Sequence, residues 1–336
     1  MEKKVSMKDI AREVGVSTAL VSFVLNGKEK EKRVGAEVAA MILKVAADLH
    51  YKPNQIARSL RKGSTMTIGM IVADIANPFF CQMARVVEDE ANKSGYTVIF
   101  GSSDESSVKS SALIDTLMNR QVDGFIIVPA EGAEEQIRNL LQQKIPVVLV
   151  DRYFPGISTS YVVLDNYRAS YEAVSHLISK GYKRIAMLAY RSSLIHMKER
   201  VSGYVDRMKE QHLDAYITVK EIRYSHLQQD IGNAMHDLAV KNKKADAVLF
   251  ATNALSIAGL YYMIKNGIKV PDDLAVLSFD ASESFDFFYA PVTYVEQPVE
   301  ELAKESVKVL VDLMHGSDKT TLVKLKHQLV KQKSCG

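Results

Sequence analysis

From residue 67 onward the 336-residue chain alternates short β-rich apolar runs with longer segments of helical apolar spacing, and this alternation restricts the fold more than any other feature. The runs at residues 67–73, 97–100, 124–128 and 147–150 are interleaved with helical stretches at 80–93, 107–120 and 134–142. Strands that alternate with helices return most readily in the same direction, so the pattern predicts βαβ units around a parallel sheet. A second set follows: strands near 160–164, 184–189, 217–222, 247–251 and 274–279, with helices near 167–179, 198–212, 227–241 and 254–265. Two similar α/β halves are expected. The last segments, a strand at 293–296, a helix at 299–314 and a strand at 322–329, are expected to return between them. The core is thereby drawn as residues 65–333, one subdomain taking 65–160 plus 293–317 and the other 161–292 plus 318–333.

The first 63 residues differ in kind. They hold 13 Lys/Arg and 7 Asp/Glu, a net of +6, against 30 and 33, a net of −3, in the remainder. Within them residues 6–27, SMKDIAREVGVSTALVSFVLNG, read as two short amphipathic helices around a turn. Ser6 and Asp9 have capping-box spacing, and Ile10, Ala11 and Val14 recur on one face. Gly15 suits the positive φ that stops a helix, Ser17 suits the start of another, and Leu20, Val21, Val24 and Leu25 follow before Asn26-Gly27. This is helix-turn-helix spacing, whose second helix enters the DNA major groove. The same residues would also serve as two plain helices of a helical subdomain. The run KEKEKR after Gly27 suits a solvated loop or phosphate contacts.

A third helix is predicted from about residue 36 to 49, because Val38, Ile42, Val45 and Leu49 share a face. Pro53 then breaks it, and Asn54 begins a helix of about two turns through Ala57, Arg58 and Leu60. Alone, so short a helix is unstable in water, where about 12–15 residues are needed. A basic two-turn helix with a projecting leucine suits the minor groove, where an apolar wedge parts a base step.

Taken together, Met7-Lys8-Asp9-Ile10-Ala11, Gly15-Val16-Ser17, Val21-Ser22, Leu25-Asn26, Tyr51-Lys52-Pro53-Asn54 and Ala57-Arg58-Ser59-Leu60 resemble the lactose/galactose-repressor (LacI/GalR) family of bacterial transcription regulators. The resemblance implies an all-α helix-turn-helix domain at 1–50, a hinge helix and linker at 51–64, and a two-lobed, periplasmic-binding-protein-like α/β core. It implies a homodimer on a pseudo-palindromic double-stranded operator, read by Ser17, Thr18, Ala19, Ser22, Phe23, Asn26, Asn54, Ala57, Arg58 and Leu60. It also implies a small-molecule effector, a carbohydrate or its derivative, that controls operator affinity.

Open parallel sheets bind ligands beyond the carboxyl ends of their strands. Asn77, Phe79 and Phe80 fall there after the first strand, Asp151 and Arg152 after the fourth, Asn253 and Asp280 after later strands; Gln297 follows the strand at 293–296 and Arg200 lies early in a helix. Their side chains offer aromatic faces, two guanidinium forks, carboxylates and amides for hydroxyl groups. Each also has an ordinary structural use: core for the phenylalanines, caps for the aspartates, surface ion pairs for the arginines. Two departures from the family pattern stand out. Ala254 follows Asn253 where a carboxylate is common, and Thr18, Ala19 and Phe23 replace larger polar groups on the reading helix, so bidentate base readout is missing there.

Other classes fit less well. No two glycines stand at GxG spacing, and GxxxxGK[ST], HExxH and GxSxG are absent, so no enzymatic motif, cofactor or metal is expected. A solute-binding protein without a DNA role, or a sugar-modifying enzyme of the same architecture, would lack a use for the basic N-terminal module. Two cysteines, Cys81 and Cys335, suit a reducing compartment. No signal-peptide core or run of about 20 apolar residues appears, so a cytoplasmic protein without membrane attachment is expected.

Overall fold

A computed structural model describes residues 5–51, 63–241 and 245–336. The chain divides into two compact units, Met1–Thr65 and Met66–Gly336.

In the first unit, α1 (Met7–Val14), α2 (Thr18–Leu25) and α3 (Ala36–Asp48) surround a small core of Ile10, Ala11, Val21, Val24, Ala39, Ile42 and Ala46. The Asp9 carboxylate accepts from the Ser6 backbone N–H at 2.9 Å and from its hydroxyl at 2.7 Å, fixing the start of α1. Gly15 ends it at φ 75°, a conformation that costs an L side chain about 1 kcal/mol or more. The Ser17 hydroxyl accepts from the Leu20 N–H at 3.2 Å and opens α2. The apolar face of α3 departs from expectation: Ala39, Ile42 and Ala46 point inward while Val38 is 36% exposed. Small alanines let three short helices approach closely, which the larger valine would prevent.

The second unit contains two six-stranded sheets. The first, ordered β11-β5-β4-β3-β1-β2, is parallel throughout: β1 (Thr67–Val72), β2 (Thr97–Ser102), β3 (Gly124–Ile127), β4 (Val147–Val150), β5 (Ser160–Leu164) and β11 (Leu322–Leu325). The second runs β12-β10-β9-β8-β6-β7, made of β6 (Ile185–Tyr190), β7 (Thr218–Ile222), β8 (Ala247–Phe250), β9 (Ala275–Phe279), β10 (Thr293–Glu296) and β12 (Gln328–Val330), with only β12 antiparallel. Central strands β3, β4 and β8 are buried along their whole length, as helices on both faces require.

The helices are α4 (Pro78–Lys93), α5 (Ser107–Asn119), α6 (Glu134–Gln142), α7 (Asn166–Ser179), α8 (Ile195–Glu210), α9 (Leu227–Met235), α10 (Asn253–Lys265), the short α11 (Glu283–Phe287) and α12 (Val299–Met314). Residues 236–241 continue α9 as a π-helical turn. Two clusters, one on each face of the first sheet, and a third around the second sheet form the cores. Helices α7 and α8 meet at Gly203, where a Cβ would stand 2.3 Å from the Tyr167 carbonyl oxygen.

The sheet order corrects three subdomain boundaries. Strand β5 belongs to the first sheet, whereas residues from 161 were expected in the second lobe. Strand β10, expected in the first lobe, pairs with β9 in the second. The single strand expected at 322–329 is two: β11 pairs with β5 in the first sheet, and β12 pairs with β10 in the second. Short apolar runs do not reveal which neighbour they pair with, and Lys326-His327 between β11 and β12 is too short to read as a crossover.

Candidate functional site

In each sheet one strand has neighbours whose connections leave in opposite directions: β1 lies between β2 and β3, and β6 lies between β7 and β8. Crevices form at the carboxyl ends of such strands. Here they face one another across a single cavity of about 940 Å³. Asn77, Phe79, Phe80, Asp151, Arg152, Arg200, Asn253, Asp280 and Gln297, the nine candidates chosen from the sequence, all line it, together with Ala254.

Asn77 caps α4, its Oδ1 accepting from the Phe79 N–H at 3.1 Å. That oxygen also accepts from Asn253 Nδ2 at 3.4 Å, a bond joining the lobes. Because Asn253 must donate there, its Oδ1 is left as the free end, and it has no partner. Gln297 follows the same logic. Its Nε2 donates to Asp280 Oδ1 at 2.6 Å, and its buried Oε1 has no partner. His196 contributes a third orphan, Nδ1. Burial, with Arg152 and Arg200 nearby, holds its pKa well below the usual histidine value, so the ring is neutral. Buried polar atoms without partners cost about 1–3 kcal/mol each, and three of them around one cavity are poised for a ligand.

The two arginines are held differently. Arg152 forms a bidentate pair with Glu105, at 2.6 and 2.7 Å, and reaches Asp151 at 3.2 Å and the Pro129 carbonyl at 3.4 Å. Burial opposes its charge, but Glu105 and Asp151 outweigh it and raise the pKa. Arg200 donates to Asn166 Oδ1 at 2.8 Å and the Ala251 carbonyl at 2.6 Å, and lies 4.3 Å from the Phe279 ring centroid. Burial raises the Asp151 pKa, with the two arginines opposing it. Asp151 and Asp280 adopt positive φ, 68° and 66°, an uncommon conformation for non-glycine residues that turns each chain sharply out of its strand. Among the structural uses foreseen, core packing applies to Phe79 and Phe80, whose rings meet edge to face at 5.0 Å, whereas the ion pair of Arg152, expected at the surface, is buried.

Sequence reasoning missed Glu105, Tyr190, His196, Tyr224, Glu131 and Asp74, which also line the cavity. The Tyr224 hydroxyl donates to Asp74 Oδ2 at 3.0 Å, and Glu131 Oε1 accepts from the Ser193 N–H at 3.1 Å, both across the cleft. Burial, with Glu105 nearby, pushes the Tyr190 phenol up to about 12. Asp74, Glu105, Glu131, Tyr190 and Tyr224 lie within a few residues of the carboxyl ends of β1, β2, β3, β6 and β7, so the rule that found the others points to them as well.

In the first unit, Ser17, Thr18, Ala19 and Asn26 are exposed, while Ser22 and Phe23 are partly covered. Asn26 Nδ2 donates to the Ser22 carbonyl at 2.6 Å. Asn54, Ala57, Arg58 and Leu60 lie outside the described residues.

Comparison with known proteins bears on both units. Residues 6–54 match bacterial regulatory proteins of the lacI family, and residues 174–335 match a periplasmic binding protein-like domain. The chain is 31% identical to the transcriptional regulator RegA of Clostridium acetobutylicum over 98% of this chain and 99% of that protein. The chain belongs to the lacI family of bacterial regulatory proteins. It is 30% identical to catabolite control protein A of Priestia megaterium, covering 97% of each. The fold also matches the lac repressor dimer bound to operator and the anti-inducer ONPF, with a TM-score of 0.87, 21% identity and 99% of each chain covered. This lacI-family chain is accordingly a DNA-binding transcriptional regulator with a ligand-binding core, and the family consists of regulators, not enzymes. Among the described residues no helix is long and apolar enough to cross a membrane, and no three metal-ligating side chains cluster.

Proposed function

We propose that this regulator is a cytoplasmic, homodimeric repressor whose affinity for a pseudo-palindromic operator is set by an uncharged, polyhydroxylated effector, a sugar or sugar derivative, bound between the two lobes. The observation that carries the effector assignment is the set of unpartnered buried atoms on Asn253, Gln297 and His196 around a cavity whose lining carries more carboxylates, on Asp74, Glu105, Glu131, Asp151 and Asp280, than guanidiniums, on Arg152, Arg191 and Arg200. Arg152 is committed to Glu105 and Asp151, Arg191 pairs with Glu221 at 2.9 Å, and Asp74, Glu131 and Asp280 add further carboxylates. A phosphate would meet this excess of negative charge uncompensated, whereas hydroxyls would donate to the free acceptors and receive from Arg200. Phe79, Phe80 and Tyr190 offer apolar faces for a sugar ring.

Ser17, Thr18, Ala19, Ser22 and Asn26 serve the half-site, and the basic segment carrying Asn54, Ala57, Arg58 and Leu60 couples effector binding to DNA affinity, with Leu60 as the minor-groove wedge. Such coupling is typically about 1–3 kcal/mol. A thermal-shift series pairing neutral sugars with their phosphates tests the reading. At least one neutral sugar is expected to raise the melting temperature, with Gln297→Leu suppressing the rise; stabilisation by the phosphorylated forms alone would contradict it.

A further inference from the structure

Helix α2, Thr18–Leu25, has the sequence TALVSFVL and carries no charged side chain, although it is the reading element of a DNA-binding unit. Phe23 lies on it half-buried, yet outside the core made by Ile10, Ala11, Val21, Val24, Ala39, Ile42 and Ala46. The loop after α2 folds back beside it. The Lys28 N–H donates to the Phe23 carbonyl at 2.9 Å, the Lys32 N–H to the Lys28 carbonyl at 2.9 Å, and the Val34 N–H to the Glu29 carbonyl at 2.8 Å. These turns bring Lys32 Nζ to 5.9 Å from the centroid of the Phe23 ring.

We propose that Lys32 is a DNA-contacting residue, its ammonium held on the ring of Phe23 beside the reading helix, so that the loop supplies the cation the helix lacks. The contact is to a backbone phosphate: a lysine ammonium is a mobile point charge suited to phosphate oxygens, and base edges are better read by a planar fork. The ring face attracts the cation electrostatically and shortens its search. Lys32 also pairs with Glu31 at 2.8 Å, but the two side chains are 43% and 58% exposed, and so open an ion pair is readily exchanged for a phosphate. Phe23 is thus a positioning residue, beyond any apolar contact it makes with a thymine methyl. The run KEKEKR, which suits either a solvated loop or phosphate contact, does both, with Lys32 the member aimed at DNA.

The test uses the full chain and fluorescence anisotropy with labelled duplex DNA of mixed sequence, titrated from about 50 to about 200 mM salt, because phosphate contacts set the salt dependence without needing the operator. Lys32→Gln is expected to lower the slope of log affinity against log salt by about 0.9, the value of one phosphate contact. Phe23→Leu, which keeps an apolar group but removes the ring, lowers it similarly; Phe23→Trp, with a stronger π face, retains the wild-type slope. The double variant Phe23→Leu/Lys32→Gln falls no further than Lys32→Gln. An unchanged slope in Lys32→Gln removes Lys32 from the DNA contact. An unchanged slope in Phe23→Leu, or additive losses in the double variant, removes Phe23 from its positioning.

Discussion

Removing the Glu105 carboxylate isolates a buried arginine. The Arg152 side chain is 7% exposed and has its two shortest contacts, at 2.6 and 2.7 Å, with Glu105, whose own side chain is 24% exposed. Charge-assisted hydrogen bonds contribute roughly 1.5–3 kcal/mol each, and breaking a buried pair from one side costs about 3–5 kcal/mol. Water reaching the partly open Glu105 position reduces that, while Asp151 and the Pro129 carbonyl keep part of the guanidinium satisfied. Glu105→Ala is therefore expected to destabilise the second unit by about 2–4 kcal/mol, and Glu105→Gln, which keeps one acceptor, by roughly half as much. The double variant Glu105→Ala/Arg152→Met is expected to recover more than half of the loss, because the unpaired charge is gone. Urea denaturation at neutral pH, followed by circular dichroism, measures all three. A loss below about 1 kcal/mol in Glu105→Ala, or a double variant no more stable than the single one, would refute the claim that Arg152 is committed to Glu105 and unavailable to an anionic ligand.

Other perturbations separate the parts of the molecule. Burial holds His196 neutral in the folded state, so below about pH 6.5 the unfolded chain takes up a proton that the folded chain refuses. Stability is then full above that pH and falls with acidification by up to about 1.4 kcal/mol per pH unit from this residue, a slope that His196→Asn should remove from denaturation curves collected between about pH 7.5 and 5.5. Gly203→Ala would drive a Cβ to 2.3 Å from the Tyr167 carbonyl, and a loss of more than about 2 kcal/mol is expected in calorimetry of the second unit. Ile42, fully buried in the small three-helix core, is expected to cost about 2–4 kcal/mol when changed to alanine; DNA binding measured by anisotropy is lost while the melting of the second unit is unchanged.

Much of this was legible because the signals were local. Strand and helix alternation, the Ser6-Asp9 and Ser17 caps and the carboxyl-end rule depend on neighbours in sequence, and the nine cavity residues named from them share one cavity. What was not legible depends on pairing across the chain. Strands β5, β10 and β11 are short apolar runs that suit either sheet, and only their partners decide. The commitment of Arg152 to Glu105 spans 47 positions, and the neutrality of His196 follows from its burial, reinforced by two arginines that folding brings beside it. In the first unit, α3 turned alanines inward because close helix packing outweighs the burial of one valine. The contact between Phe23 and Lys32 was hidden for a related reason: Lys32 comes within 5.9 Å of the ring centroid through turns that a charged run does not announce.

The central claim is that occupancy of the interlobe cavity changes affinity for DNA. The direct measurement is operator affinity by anisotropy, on a duplex selected from random sequence by this protein, with and without a neutral sugar that raises its melting temperature. Wild type is expected to change affinity by roughly 5- to 150-fold. Arg200→Met, which removes the guanidinium reached by Asn166 and the Ala251 carbonyl, should keep operator affinity and lose the response. A sugar that stabilises the protein without altering operator affinity, or an Arg200→Met variant that responds as wild type does, would contradict the account.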